Sequence, residues 1–257
     1  MESGVRLDRD GPVATVTLCR PHVLNAQTPA MWRELRQIGR DISGEIRVAI
    51  VRGEGRAFSS GLDLNAVSDT PDTAATDFSI PQLARRDPAE AADVIARYQE
   101  AFSWLRRPDL VSIAAVRGHA IGAGFQLALA CDLRLLTEDA RFTMAEVALG
   151  LVPDLGGTKR LVELVGYGRA LDICITGRRV DAAEALGMGL ATAVVPDGEL
   201  DKAVTDLTGQ ILAAQRDAVV EIKALLLAAA SRSFPEQEAA ERAAQVRRIR
   251  DLVGLGE

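Results

Sequence analysis

Between residues 117 and 134 the chain reads RGHAIGAGFQLALACDLR. Gly118, Gly122 and Gly124 precede a small, apolar, helix-like run, and a neutral amide, Gln126, sits in its first turn. Glycines before a helix let the main chain come close to a ligand, and the first N–H groups of the helix have no internal partner. With the positive end of the helix dipole behind them, these groups can hold developing negative charge. GRAFSSGLDLNA (55–66) offers a similar device: a strand end, a Ser-Ser-Gly turn and a helix start near Asp63. Two such N–H donors facing one oxygen would form an oxyanion hole able to stabilise an enolate. The alternative is a pair of ordinary glycine turns closing two strands.

Other chemistries fit less well. GAGFQL gives G-x-G and then leucine where a dinucleotide loop needs its third glycine, GEGRAF fails similarly, and no G-x-x-x-x-G-K-[ST] is present. Cys19, Cys131 and Cys174 are odd in number, widely spaced and set among apolar residues, so free thiols and a cytoplasmic location are expected. A nucleophilic cysteine wants a histidine nearby, and the chain has only His22 and His119. No His/Cys/carboxylate cluster suggests a metal.

The elements that must position the glycine turns are strands alternating with helices. VATVTL (13–18), VAIVRG (48–53), SIAAVRG (112–118) and LRLLT (133–137) read as strands. Met31 to Ile38 carries apolar residues at helical spacing, with Asn25 and Thr28 as possible starts. The segment 68–93 is rich in Pro and Asp and reads as a mobile loop or lid ahead of a helix through Tyr98 and Trp104. After 155 the pattern is helical apart from a strand at ATAVVP, and from 199 onward it is almost entirely helix-forming. The expected class is α/β, with a core over 1–195 and a helical C-terminal region over 196–257.

The 257 residues are 48% apolar and 26% charged, ordinary for a folded globular chain, with a net charge of −6. No basic run points to nucleic acid, no apolar run reaches a membrane span, and the N-terminus has no signal-peptide pattern.

AFSSGLDL, then VRGHAIGAGFQLALACDLR, then FTMAEVALGLVPDLGGTKRL together resemble the crotonase (enoyl-CoA hydratase/isomerase) superfamily. RPHVLNA and GRRVDAAEALGMGLATAVVP extend the likeness over roughly residues 10 to 200. The resemblance implies a spiral of β-β-α turns, an acyl-CoA substrate that itself carries the coenzyme, no separate cofactor, and a homotrimer or dimer of trimers. It implies that a thioester oxygen sits between the amides of Leu62, after Gly61, and Ala123, between Gly122 and Gly124. It also implies CoA or substrate contacts at Arg20, Asp63 and Lys223. Asp63 alternatively anchors its loop, and Lys223 alternatively is a solvated helix lysine.

Hydratases of this family typically carry two glutamates, and here the first position holds Gln126 and the second Glu146. A glutamine cannot cycle a proton, although its amide can hold a water or a substrate atom. Apolar neighbours should raise the pKa of Glu146. Asp154 stands where dienoyl-CoA isomerases place a proton-transferring aspartate, although that layout also has an acid where Gln126 stands here. Asp154 also suits a helix N-cap before LGGTKRL. The expectation is therefore a shift of a double bond through an enolate, with Glu146 and Asp154 moving protons. Hydration of a 2-enoyl-CoA and non-catalytic binding of an acyl-CoA are the alternatives.

Overall fold

The computed structural model describes residues 3–42, 44–67 and 80–256. The chain opens with strands β1 (Val5–Asp10) and β2 (Val13–Leu18), an antiparallel hairpin, followed by helix α1 (Pro29–Asp41) and strand β3 (Val48–Gly53). Helices α2 (Ile80–Ala84) and α3 (Pro88–Ser103) lead to β4 (Val111–Val116), β5 (His119–Ile121) and α4 (Ala123–Ala130). Next come β6 (Leu133–Thr137), β7 (Arg141–Thr143), α5 (Gly157–Val165) and α6 (Tyr167–Thr176). The remainder is β8 (Arg179–Asp181), α7 (Ala182–Gly187), β9 (Ala193–Val195), α8 (Leu200–Ala213), α9 (Arg216–Ala229) and α10 (Phe234–Leu252).

The larger sheet runs β1-β2-β3-β4-β6-β9, and beyond the first hairpin its pairings are parallel. A smaller sheet runs β5-β7-β8. In two successive turns, β4-β5-α4 and β6-β7-α5, the chain gives one strand to each sheet and then a helix, the repeat of a β-β-α spiral. Both faces of the larger sheet are covered, so its strands read as continuous apolar runs. Along β3, Ala49 and Val51 enter the main core, while Val48 and Ile50 face the other side, where Leu200 and Val204 of α8 cover them. Residues just beyond 195 thus pack on the sheet before the chain departs into α9 and α10.

Thr28 starts α1, its Oγ1 accepting the Met31 N–H at 3.3 Å with Pro29 in the first helical position. The apolar spacing expected from Met31 to Ile38 buries Met31, Trp32, Leu35 and Ile38. The strand expected over 112–118 is β4, which ends at Val116, and a separate short strand, β5, follows it in the other sheet. Of the segment expected to be a loop, 68–79 lies outside the described residues, whereas 80–84 and 88–103 are helical. Among the described residues, no helix is long and apolar enough to cross a membrane.

Candidate active site

The start of α4, the segment 146–157 and the helices α1 to α3 enclose a cavity of about 700 Å³. Two isolated pairings align its polar edge, Ser59 with Ala120 and Gln27 with Leu62. Gln27 N–H donates to Gly61 O at 2.6 Å, and Asp63 N–H donates to Gln27 O at 2.8 Å. Peptide groups alternate in direction along an extended segment, so the intervening Leu62 N–H points away from Gln27. Gly61 has φ +90°, and a Cβ there would lie 2.6 Å from Ile121 O, so the 61–62 turn is pressed against the entry to α4.

At that entry Gly122, with φ 50° and ψ −117°, donates its own N–H to Thr143 O at 2.8 Å. Only glycine adopts this conformation without strain. It turns the chain so that Ala123 becomes the first residue of α4, whose eight residues are all buried. Among the described residues, neither Leu62 N–H nor Ala123 N–H has an acceptor, and both residues line the cavity. Gly124 lies behind them, packed against Ser59 rather than on the cavity wall.

Gln126 is 1% exposed, and both ends of its amide bond to the protein. Its Oε1 accepts Leu155 N–H at 2.9 Å and Gly157 N–H at 3.2 Å. Its Nε2 must then face the other way, and it donates to Glu146 Oε1 at 2.7 Å. The two backbone donors fix which end of the amide meets the carboxylate, and so Glu146 Oε1 is held as an acceptor. Glu146 Oε2 is buried with no hydrogen-bond partner among the described residues. Burial pushes the Glu146 carboxyl above its ordinary value, and the nearby charge of Asp154 adds to this against the opposing hydrogen bonds.

Asp154 also lines the cavity, and burial raises its carboxyl. The capping role that its position suggested is not what the helix uses. Gly156, at φ +88°, caps α5 with no side-chain bond. The loop is tied instead through the Asp154 main-chain oxygen, which accepts Gln99 Nε2 of α3 at 2.7 Å.

Three expected contacts lie elsewhere or are spent. Arg20 is off the cavity wall and binds Ala26 O at 2.6 Å and Asp63 Oδ2 at 2.9 Å, fastening the first loop to the 61–63 turn. Asp63 does reach the cavity, with its charge taken by that pair and its Oδ1 accepting Asn65 N–H. Lys223 is neither a solvated helix lysine nor on this cavity. It is 9% exposed, and its Nζ donates to Asp132 Oδ2 and Leu110 O, each at 2.6 Å. Ser112 completes this knot by donating its N–H and Oγ to the same Asp132 oxygen. Lys223→Met strands a half-buried carboxylate and is expected to cost about 3 kcal/mol of stability. Chemical denaturation checks this, with turnover of the surviving folded enzyme unchanged.

Trp32 is a wall residue that was not anticipated. It lines the cavity with its Nε1 bonded to Gln27 Oε1 at 2.8 Å. Tyr98 packs on it at 4.9 Å between ring centroids, whereas Phe102 is buried behind them. Trp104 is buried and Phe234 is exposed. The two N–H groups that hold Gln126 were also missed, although the Gly-Gly pair of DLGG marked a place where backbone could approach a side chain. Cys131 is buried and its thiol is pushed up to about 12, which makes it inert as a nucleophile. Among the described residues no group of three His, Cys, Asp or Glu side chains could hold a metal.

A spiral fold with two free backbone donors and two carboxyls on one apolar cavity defines a class, and comparison with known proteins gives the same class. The model of the enoyl-CoA hydratase/isomerase family matches residues 8–251. The mitochondrial Δ(3,5)-Δ(2,4)-dienoyl-CoA isomerase of Homo sapiens is 35% identical over 230 residues, 87% of this chain and 68% of that one. The short-chain enoyl-CoA hydratase of Clostridium acetobutylicum is 32% identical over 213 residues, covering 82% and 76% respectively. A candidate enoyl-CoA hydratase of Thermobifida fusca YX, solved in complex with CoA, superposes with a TM-score of 0.92 at 48% identity. That match covers 98% of this chain and 95% of the other. The chain belongs to the enoyl-CoA hydratase/isomerase family, and its relatives include enzymes of both kinds.

Proposed function

We propose that the enzyme moves a double bond within an enoyl-CoA. Gln126 carries this reading: where a second glutamate would serve hydration, a buried amide stands with its oxygen locked by two backbone donors. The carboxyls left for proton transfer are Glu146 and Asp154, because Asp63 is paired with Arg20. The thioester makes an adjacent C–H acidic, and one carboxylate takes that proton. The C–H electron pair enters the conjugated system, and negative charge collects on the thioester oxygen. Leu62 N–H and Ala123 N–H form the oxyanion hole that receives it. The second carboxyl gives a proton to the far carbon of the allylic system, the double bond shifts, and the product is an isomer with no water added. No cofactor is consumed, since CoA travels as part of the substrate.

Incubation in deuterated water with a 3-enoyl-CoA and, separately, a 2-enoyl-CoA tests this by product mass. Deuterium in a rearranged, unhydrated product is the expected result. A gain of one water on the 2-enoyl ester without rearrangement would establish hydration, the reading favoured by the hydratase names among the relatives. Binding without exchange or hydration would leave an acyl-CoA-binding protein. Gln126→Glu extends the test. A glutamate oxygen can still accept the Leu155 and Gly157 N–H groups, and a proton shared with Glu146 replaces the amide donor between them, so the fold should survive. The carboxyl can now cycle a proton, and hydration is expected to rise at least roughly tenfold.

Assembly as a homotrimer or a dimer of trimers belongs to the same reading. It is supported by apolar side chains left exposed on α9 and α10, among them Leu226, Phe234 and Leu252. Light scattering should give a mass three or six times that of the chain. The cytoplasmic location rests on the three cysteines being free thiols.

A further inference from the structure

The cavity described above has a one-sided charge. Its described lining carries Asp63, Glu146 and Asp154 and no lysine, arginine or histidine. Asp63 is paired with Arg20, whose guanidinium lies off the cavity wall. Glu146 and Asp154 have no basic partner among the described residues, and Glu146 Oε1 accepts from the neutral Gln126 amide. Arg85 and Arg86 follow α2 but are exposed and absent from the wall. The sequence from 68 to 79, outside the described residues, holds Asp69, Asp72 and Asp77 and no basic residue.

The wall facing the carboxyls is apolar. α1 contributes Trp32, α2 contributes Ile80 and Leu83, and α3 contributes Ile95 and Tyr98. Trp32 satisfies its Nε1 through Gln27, so its ring presents hydrocarbon to the cavity. An acyl chain lying on this wall gains by leaving water. A carboxylate at the end of that chain would lose its hydration and find two carboxyls and no cation.

Resting on the acyl-CoA reading, we infer that the site selects neutral, apolar acyl groups and rejects acyl-CoAs ending in a second carboxylate, because its wall supplies acids and hydrocarbon but no base. The discrimination lies in the acyl part alone, since both classes of ester carry the same CoA. It requires no induced rearrangement: the rejecting charges are the ones the chemistry itself uses.

The test is binding of two saturated, unreactive esters of equal chain length, hexanoyl-CoA and adipoyl-CoA, measured by calorimetry on the full chain at neutral pH with free CoA as reference. Hexanoyl-CoA is expected to bind at least about 100-fold more tightly than adipoyl-CoA, and adipoyl-CoA no better than free CoA. Leu83→Arg, placing a cation on the α2 wall, is expected to recover at least tenfold of the adipoyl-CoA affinity while weakening hexanoyl-CoA. Equal binding of the two esters by the unaltered enzyme would overturn this inference and leave the acyl-CoA reading standing. Failure of both esters to bind more tightly than free CoA would overturn the acyl-CoA reading and this inference together.

Discussion

Glu146→Gln is expected to lower turnover roughly a thousandfold while leaving the protein folded, the largest effect of any single side-chain change in the site. The substitution keeps the shape of the side chain and an oxygen for the Gln126 Nε2 donor, now at 2.7 Å from Glu146 Oε1. What it removes is the capacity to take and return a proton. A loss below about tenfold in steady-state turnover, with single-turnover rates equally unaffected, would remove Glu146 from the mechanism. Asp154→Asn provides the comparison, since equal losses would make the two carboxyls a working pair.

The same substitution carries a pH signature in stability. Burial raises the folded-state pKa of Glu146 above the ordinary carboxylate value of 4.5. The folded protein therefore holds this proton more tightly than the unfolded chain. The stabilisation from Glu146 is fully present below the unfolded value and is lost as pH rises through the raised folded one. Glutamine does not titrate, so the stability difference should move in favour of Glu146→Gln as pH rises from 4.5 through the raised folded-state value. Denaturation midpoints at several pH values check this, and a difference independent of pH would contradict the burial of a titrating carboxyl. Turnover of the unaltered enzyme should likewise begin to fall on acidification at a pH above 4.5.

Ala123→Pro should lower turnover by about a hundredfold to a thousandfold, the usual effect of deleting one oxyanion donor. Proline at the first position of a helix removes an N–H that the helix does not use and brings the φ the helix needs. Glycine at 122 avoids the clash that a side chain before proline would create. Stability should hardly change, because Ala123 N–H has no acceptor among the described residues. The loss should fall more on kcat than on KM, since an enolate oxygen accepts more strongly than a ground-state carbonyl. An unchanged kcat would show that negative charge develops somewhere other than at the start of α4. A large drop in thermal midpoint would show instead that this amide serves the fold.

Much of the framework was legible from local pattern. Three of the expected strands, 13–18, 48–53 and 133–137, have the same bounds in the structure. Their branched runs are long enough to declare themselves, and Thr28-Pro29 announces α1 through its own chemistry. The strands β5, β7 and β8 are three residues each, too short for alternation to register. They exist because neighbouring turns of the spiral supply partners. The hairpin β1–β2 had a signal, Asp10-Gly11 between alternating segments, that went unused.

Side-chain roles followed the same division. Gly61, Gly122, Gln126 and Glu146 were marked by type and motif, and the structure brings them to one cavity. The pairing of Lys223 with Asp132 joins residues 91 positions apart and has no local trace. Asp154 looked like a cap because a helix follows it, but the intervening Gly156 leaves its side chain free to face inward. Local sequence proposes which groups can meet a helix end; the path of the loop decides which one does.

The socket around Gln126 has a consequence for how such enzymes diverge. Leu155 and Gly157 ask residue 126 only for an acceptor oxygen, and glutamine and glutamate present the same one. Their codons differ at a single first base. A lineage can therefore cross between an amide and a carboxyl here in one mutational step, without a folding-defective intermediate and without compensating changes in the loop. Selection on the reaction at this position is separated from selection on the fold of the 155–157 loop, so the family name alone carries little information about which reaction a given member performs.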